Sequence, residues 1–139
     1  MLRKKIFLLF LLVIPAFTMF ANKTAHQIVA EAKRTIKEIN ITAANGMIQA
    51  GNLTILDVRE PDEFRAERIS GAINIPRGVL EFKVTDVIKN KNQKILVYCL
   101  LGGRGVLATQ TLNTMGYRNV VNISGGLVAW KASGLKVVR

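Results

Sequence analysis

The chain reads as an α/β domain: a five-stranded, mostly parallel sheet with helices on both faces, preceded by an extra helix. Three observations predict this. Short apolar runs alternate with stretches of helical periodicity, as expected when parallel strands are joined by helical crossovers. Ile95-Leu96-Val97 is a continuous apolar run, as a strand buried on both faces requires. The length of 139 residues, half of them hydrophobic, suits one domain with a core of ordinary size, and no internal repeat or low-complexity linker divides it.

Residues 1–21 form a targeting segment. Arg3-Lys4-Lys5 is basic, and the stretch 6–21 is apolar apart from Thr18 and is broken by Pro15. That run is short for a membrane span and right for a secretory signal. Two readings follow: a signal cut after Ala21, although Met19 fits such a site poorly, or an uncleaved anchor that tethers the protein through residues 6–21. Either places the domain outside the cytoplasm, periplasmic or secreted in the first case and inner-membrane anchored facing the periplasm in the second. The net charge is +11, and setting aside these three basic residues leaves +8. Such an excess favours anionic substrates, acidic partners or a membrane surface. Nucleic acid is not expected, because no Lys/Arg block is interleaved with aromatics and no zinc or RNA-binding motif is present.

Residues 22–37 make the extra amphipathic helix, over Thr24 to Lys37. Thr24 and Gln27 form a capping box, and Ala25, Ile28, Val29, Ala32 and Ile36 form one apolar stripe. His26 lies on its first turn and reads as a surface residue, since no second His or Cys exists to share a metal. The domain proper is 38–139. Glu38 to Ile41 is a first strand, and Thr42 caps a helix ending near Gly51. Thr54 to Val58 is the second strand, with Asp57 and Arg59 at its C-terminal end, where parallel sheets keep their ligand crevice. Pro61 starts a short helix with Asp62 and Glu63 in its first turn. Ala72 to Ile75 is a strand stopped by Pro76. Leu80, Val84, Val87 and Ile88 are the apolar face of the next helix. Asn119 to Asn122 is the last strand, Gly125-Gly126 a turn, and Leu127 to Ala132 a final helix with Trp130 in the core.

Between these lies the stretch that carries chemistry. Tyr98 closes the Ile95-Leu96-Val97 strand, and the only cysteine, Cys99, follows it. Leu100-Leu101-Gly102-Gly103-Arg104-Gly105 comes next. Leu107, Ala108, Thr111, Leu112 and Met115 then keep helical spacing, with Gly116 at the C-terminal cap. A glycine-rich loop ending in a helix N-terminus turns several N–H groups and a positive dipole end onto an anion. Free cysteine has a pKa of roughly 8.5, and such surroundings can bring it to about 3.5–7.5. Cys99 is therefore the candidate nucleophile. The contrary reading, a buried and inert cysteine, would not need the glycines. One cysteine also excludes an internal disulfide.

Cys99-Leu-Leu-Gly-Gly-Arg104 resembles the Cys-x-x-Gly-x-Arg loop of the rhodanese-like sulfurtransferases. Leu56 to Phe64 and Ile69 to Pro76 are similar to that family's two upstream signatures. Gly116 to Val120, Gly125-Gly126 and Ala129-Trp130 are similar to its C-terminal run. The likeness spans roughly Ile39 to Val138, in order. It implies a rhodanese-like domain that moves sulfane sulfur, from thiosulfate or a persulfide, to a thiol or cyanide through a Cys99 persulfide. No cofactor and no metal are implied. In that scheme the backbone from Leu100 to Gly105 is the anion cradle. Arg104 and Arg59 either bind an anionic donor or pair with Asp57 or Glu60 to brace the loop, bracing being the preferred reading.

Three departures stand out. Leu100-Leu101 replaces polar or basic residues, Gly105 stands where Ser or Thr is common, and Arg68 replaces a frequent His. The leucines either fold back on the core or offer an apolar rim on which a partner protein docks. Two further functions stay open: a non-catalytic or redox-sensing interaction module, and a cysteine-dependent phosphatase. The phosphatase loop has five residues between Cys and Arg, whereas this chain has four, Leu100 to Gly103.

Overall fold

The structure, a computed structural model, describes residues 22–139; the stretch 1–21, expected from sequence to be a targeting segment, lies outside the described residues. Among the described residues no helix is long and apolar enough to cross a membrane. Five strands form one sheet: β1 (Glu38–Ile39), β2 (Thr54–Asp57), β3 (Ala72–Asn74), β4 (Lys94–Tyr98) and β5 (Asn119–Ile123). Their order is β1-β5-β4-β2-β3, every pairing is parallel, and β4 is central. One antiparallel bridge, Arg68 with Val138, ties the C-terminal end to the edge of the domain.

Alternation along β4 splits the core in two. Ile95, Val97 and Cys99 face a cluster with Leu80 and Val84 of one helix, Ile88 at its end, and Ala108 and Leu112 of a second helix on the same side. Leu96 and Tyr98 face the opposite side, against Ala44, Leu127 and Trp130. So α4 (Leu80–Val87) and α5 (Gly103–Thr114) cover one face, while α2 (Ile41–Ala50) and α6 (Gly126–Ala132) cover the other. Val87, expected on the buried face of α4, is 54% exposed, because the helix ends there and Ile88 takes the inward position.

The extra helix, α1 (Ala25–Lys33), lies on the α5 side. Its capping box forms as expected: Gln27 N–H donates to Thr24 Oγ1, and Thr24 N–H donates to Gln27 Oε1. The helix stops at Lys33, short of Lys37, and the Gln110 side chain donates to Thr35 Oγ1 beyond it. Only part of the expected stripe is covered. Ala32 is buried and Val29 half-buried, whereas Ala25 and Ile28 stay exposed. The cap of α2 also differs from expectation. Asn40, not Thr42, closes it, its Oδ1 accepting from Ala43 N–H at 2.9 Å; β1 is two residues long, so the chain turns earlier and Ile41 enters the first turn. The short helix α3 (Pro61–Ala66) begins at its proline, with the Glu63 side chain accepting from Glu60 N–H.

Candidate functional site

Cys99 follows the end of β4 at the C-terminal edge of the sheet. It is 2% exposed and shares the apolar cluster of Leu56, Val58 and Val97. That packing alone would suit a structural cysteine. The backbone around it is what differs. Gly102 N–H donates to Cys99 Sγ at 3.1 Å, with Gly102 at φ 107°. The first-turn N–H groups of α5, from Gly103 to Gly105, follow directly and have no partner within their helix.

The rear of the loop is closed by α6. Leu127 N–H donates to the Cys99 carbonyl at 2.8 Å and Val128 N–H to the Leu100 carbonyl at 3.1 Å. In a trans peptide the N–H points opposite to the preceding carbonyl. Fixing these two carbonyls on α6 therefore turns the N–H groups of Leu100 and Leu101 to the other side. The close approach needs Gly126, at φ 59°, because a Cβ there would lie 2.4 Å from the Cys99 oxygen and 2.7 Å from the Leu100 oxygen. Gly125-Gly126, read from sequence as a turn, is thus also a wall of the loop. The doubled glycine was the visible signal.

Both arginines are engaged by carboxylates. Asp57 and Arg59 are 0% and 2% exposed and form a bidentate pair, Arg59 Nη2 donating to Oδ2 at 2.6 Å and Nε to Oδ1 at 3.0 Å. Arg59 Nη2 also donates to the Glu67 carbonyl at 2.7 Å, and its guanidinium lies 5.7 Å from the Tyr98 ring centre. Burial alone would lower the Arg59 pKa, but the hydrogen bond and charge of Asp57 outweigh it and the value rises. The Tyr98 hydroxyl is pushed well above its ordinary value, mainly by burial and then by the Asp57 charge.

Arg104 reaches α3: Nη1 and Nη2 donate to Glu63 Oε2 and Oε1 at 2.7 and 2.9 Å. Its hydrogen bond takes the Glu63 carboxyl from 4.5 to about 2, against the opposing effect of burial. The partner expected for Arg104 was Asp57 or Glu60. Asp57 is saturated by Arg59, and Glu60, at the start of α3, makes no ion pair among the described residues. In the sequence Glu63 reads only as a first-turn acid of α3, with nothing to mark it as the partner of Arg104.

Two clefts flank the loop. One, of about 510 Å³, is lined by Arg59, Glu63, Ala66, Glu67, Leu100 and Arg139. The other, of about 350 Å³, lies between α1 and the loop, against Val29, Lys33 and Leu101 to Gly103. Cys99 lines neither. The leucines divide: Leu100 packs partly onto the core, while Leu101 is 71% exposed. Arg68 stacks on Phe64 at 4.9 Å. Among the described residues no three His, Cys, Asp or Glu side chains converge to hold a metal.

A cysteine after the central strand, the Gly102 amide on its sulfur and an arginine at the head of the next helix define a rhodanese-type site. The profile of the rhodanese-like domain matches residues 40–133, and the chain belongs to that family. It is 35% identical over 116 residues to the chloroplastic thiosulfate sulfurtransferase 16 of Arabidopsis thaliana, covering 76% of this chain and 96% of that one. It is 31% identical over 102 residues to the putative sulfur carrier protein YrkF of Bacillus subtilis, covering 73% of this chain but 54% of YrkF. Among solved structures, a Rhodopseudomonas palustris protein of unknown function, described as a possible tyrosine phosphatase, superposes with a TM-score of 0.77 at 28% identity, over 84% of this chain and 96% of that one.

Proposed function

We propose that the protein is a sulfurtransferase with Cys99 as nucleophile and sulfur carrier. The observation that carries this reading is the Gly102 amide on Cys99 Sγ, in a loop closed at its rear by α6. The Cys99 thiolate attacks the outer sulfur of thiosulfate, the S–S bond of the donor breaks, and sulfite leaves with the bonding pair. The new Cys99 persulfide anion is stabilised by the N–H groups of the loop and of the first turn of α5. An acceptor thiolate or cyanide then attacks the terminal sulfur, and the Cys99 thiolate is released. Arg59 and Arg104 brace this site through Asp57 and Glu63; both are already engaged, so neither is a free donor-binding charge.

Leu101 offers an apolar contact for a protein or organic thiol acceptor. The same exposed leucine, with the 2% exposure of Cys99, also favours the second reading, a module used for protein contact. A phosphatase fits less well, because four residues between Cys99 and Arg104 make a tighter ring than a tetrahedral phosphate needs. Export of the domain rests on the pattern of residues 1–21 alone, and fractionation with N-terminal sequencing of the expressed protein tests it.

Incubation with thiosulfate followed by intact mass measurement should show one added sulfur in the wild type and none in Cys99→Ser. Thiocyanate should form when cyanide is added. A wild type that gains no sulfur from thiosulfate or from a persulfide leaves the contact module as the reading; release of phosphate from an aryl phosphate would restore the phosphatase.

A further inference from the structure

Asn122, on β5, is fully buried below the first turn of α5. Its Nδ2 donates to Glu38 Oε2 at 2.6 Å, and Glu38 Oε1 lies 3.3 Å from Lys33 Nζ at the end of α1. A carboxylate only accepts, so Glu38 draws the NH₂ end of the amide and turns the carbonyl end away. That Asn122 oxygen is sealed from solvent and has no hydrogen-bond partner. It faces Gly105: a Cβ on Gly105 would lie 2.3 Å from it and 3.6 Å from the Cys99 nitrogen. A buried, unpaired acceptor is costly, and proteins keep few of them. This one sits beside the helix turn whose N–H groups lack partners.

We propose that Asn122 is a positioning residue of the Cys99 site: oriented by Glu38, its carbonyl end bears on Gly105 and sets the first turn of α5 against Cys99. The consequence for sulfur transfer rests on the function proposed above, whereas the contact itself does not. Lys33 brings α1 into the same chain of contacts. A helix outside the matched segment 40–133 thereby reaches the loop through Lys33, Glu38, Asn122 and Gly105, beside Val29, whose Cγ2 is 3.8 Å from where a Gly103 Cβ would be.

Sulfur loading from thiosulfate is followed by intact mass in the full chain, with Asn122→Ala, Glu38→Gln, Glu38→Ala, Gly105→Ala and the double variant Gly105→Ala/Asn122→Ala. Asn122→Ala should slow loading at saturating thiosulfate by about tenfold, with half-saturation shifted by less than about twofold, since misplaced reacting groups lower the rate rather than donor binding. Glu38→Gln presents an amide that donates as well as accepts, so it no longer dictates which end of Asn122 faces Gly105 and should load more slowly than wild type; Glu38→Ala should fall with Asn122→Ala and carries the test if that variant does not fold. Gly105→Ala should be slower still, by about a hundredfold, and the double variant should recover to the level of Asn122→Ala alone. Wild-type loading by Asn122→Ala, wild-type loading by both Glu38→Gln and Glu38→Ala, or a double variant no faster than Gly105→Ala would each overturn the role. If the wild type gains no sulfur, the transfer reading fails by itself, and alkylation of Cys99 by iodoacetamide decides the contact. It should quicken by about fivefold in Asn122→Ala and Glu38→Ala, because a loosened turn uncovers the sulfur; rates equal to wild type would overturn it.

Discussion

A methyl group on Gly126 would press on the carbonyl oxygens of Cys99 and Leu100 from a backbone at φ 59°. Left-handed backbone at a non-glycine residue costs of order 1–3 kcal/mol before the clash is added. Gly126→Ala should therefore unfold at lower urea concentration and, if folded, load sulfur more slowly than wild type. Asp57 shows the opposite kind of sensitivity. Its removal in Asp57→Ala leaves the buried Arg59 guanidinium uncompensated, at a cost of about 3–5 kcal/mol in urea unfolding. Lys131→Ala, which breaks a half-exposed pair with Glu67, should cost about 0–1 kcal/mol. The sequence made Cys99, Arg59 and Arg104 visible because chain neighbours and spacing mark them. It could not show that Arg104 would choose Glu63 over Glu60. That choice depends on which face of α3 turns toward the loop, a matter of packing between segments 41 residues apart.

The Arg104–Glu63 pair joins α3 to α5, and its pH dependence follows from the depressed Glu63 carboxyl. A carboxyl whose folded value lies below its unfolded value stabilises the fold above the unfolded value, and that contribution is lost as pH falls through the folded one. Here the window runs from 4.5 down to about 2. Urea unfolding of wild type and Glu63→Gln should differ most above pH 4.5 and converge near pH 2. A gap that stays constant across this window would show that the pair does not depend on the Glu63 charge. At the level of these elements, periodicity served well where both faces are buried, as along Ile95 to Tyr98. It served less well at α1. There Ala25 and Ile28 continue the apolar stripe, yet no part of the described chain covers them, since a stripe records only that a face could be buried.

The sheet order places β4, with its loop, between β5 and β2, so residues from both halves of the chain converge on one edge. The parallel architecture was readable because the inner strands β2 and β4 carry short apolar runs and strands alternate with helices along the chain. The order β1-β5-β4-β2-β3 was not readable, because strand neighbours come from long-range pairing that local pattern does not record. That order has a consequence for how the protein matures. The carbonyls of Cys99 and Leu100 find their donors on α6, which follows all five strands in the chain, so the Cys99 loop is closed only after the sheet's strands have been made. A chain still being synthesised would carry Cys99 on an open loop, and the loop would take its shape only once α6 had docked. Any truncation that removes the final helix should thus silence the site even where the central strands still assemble.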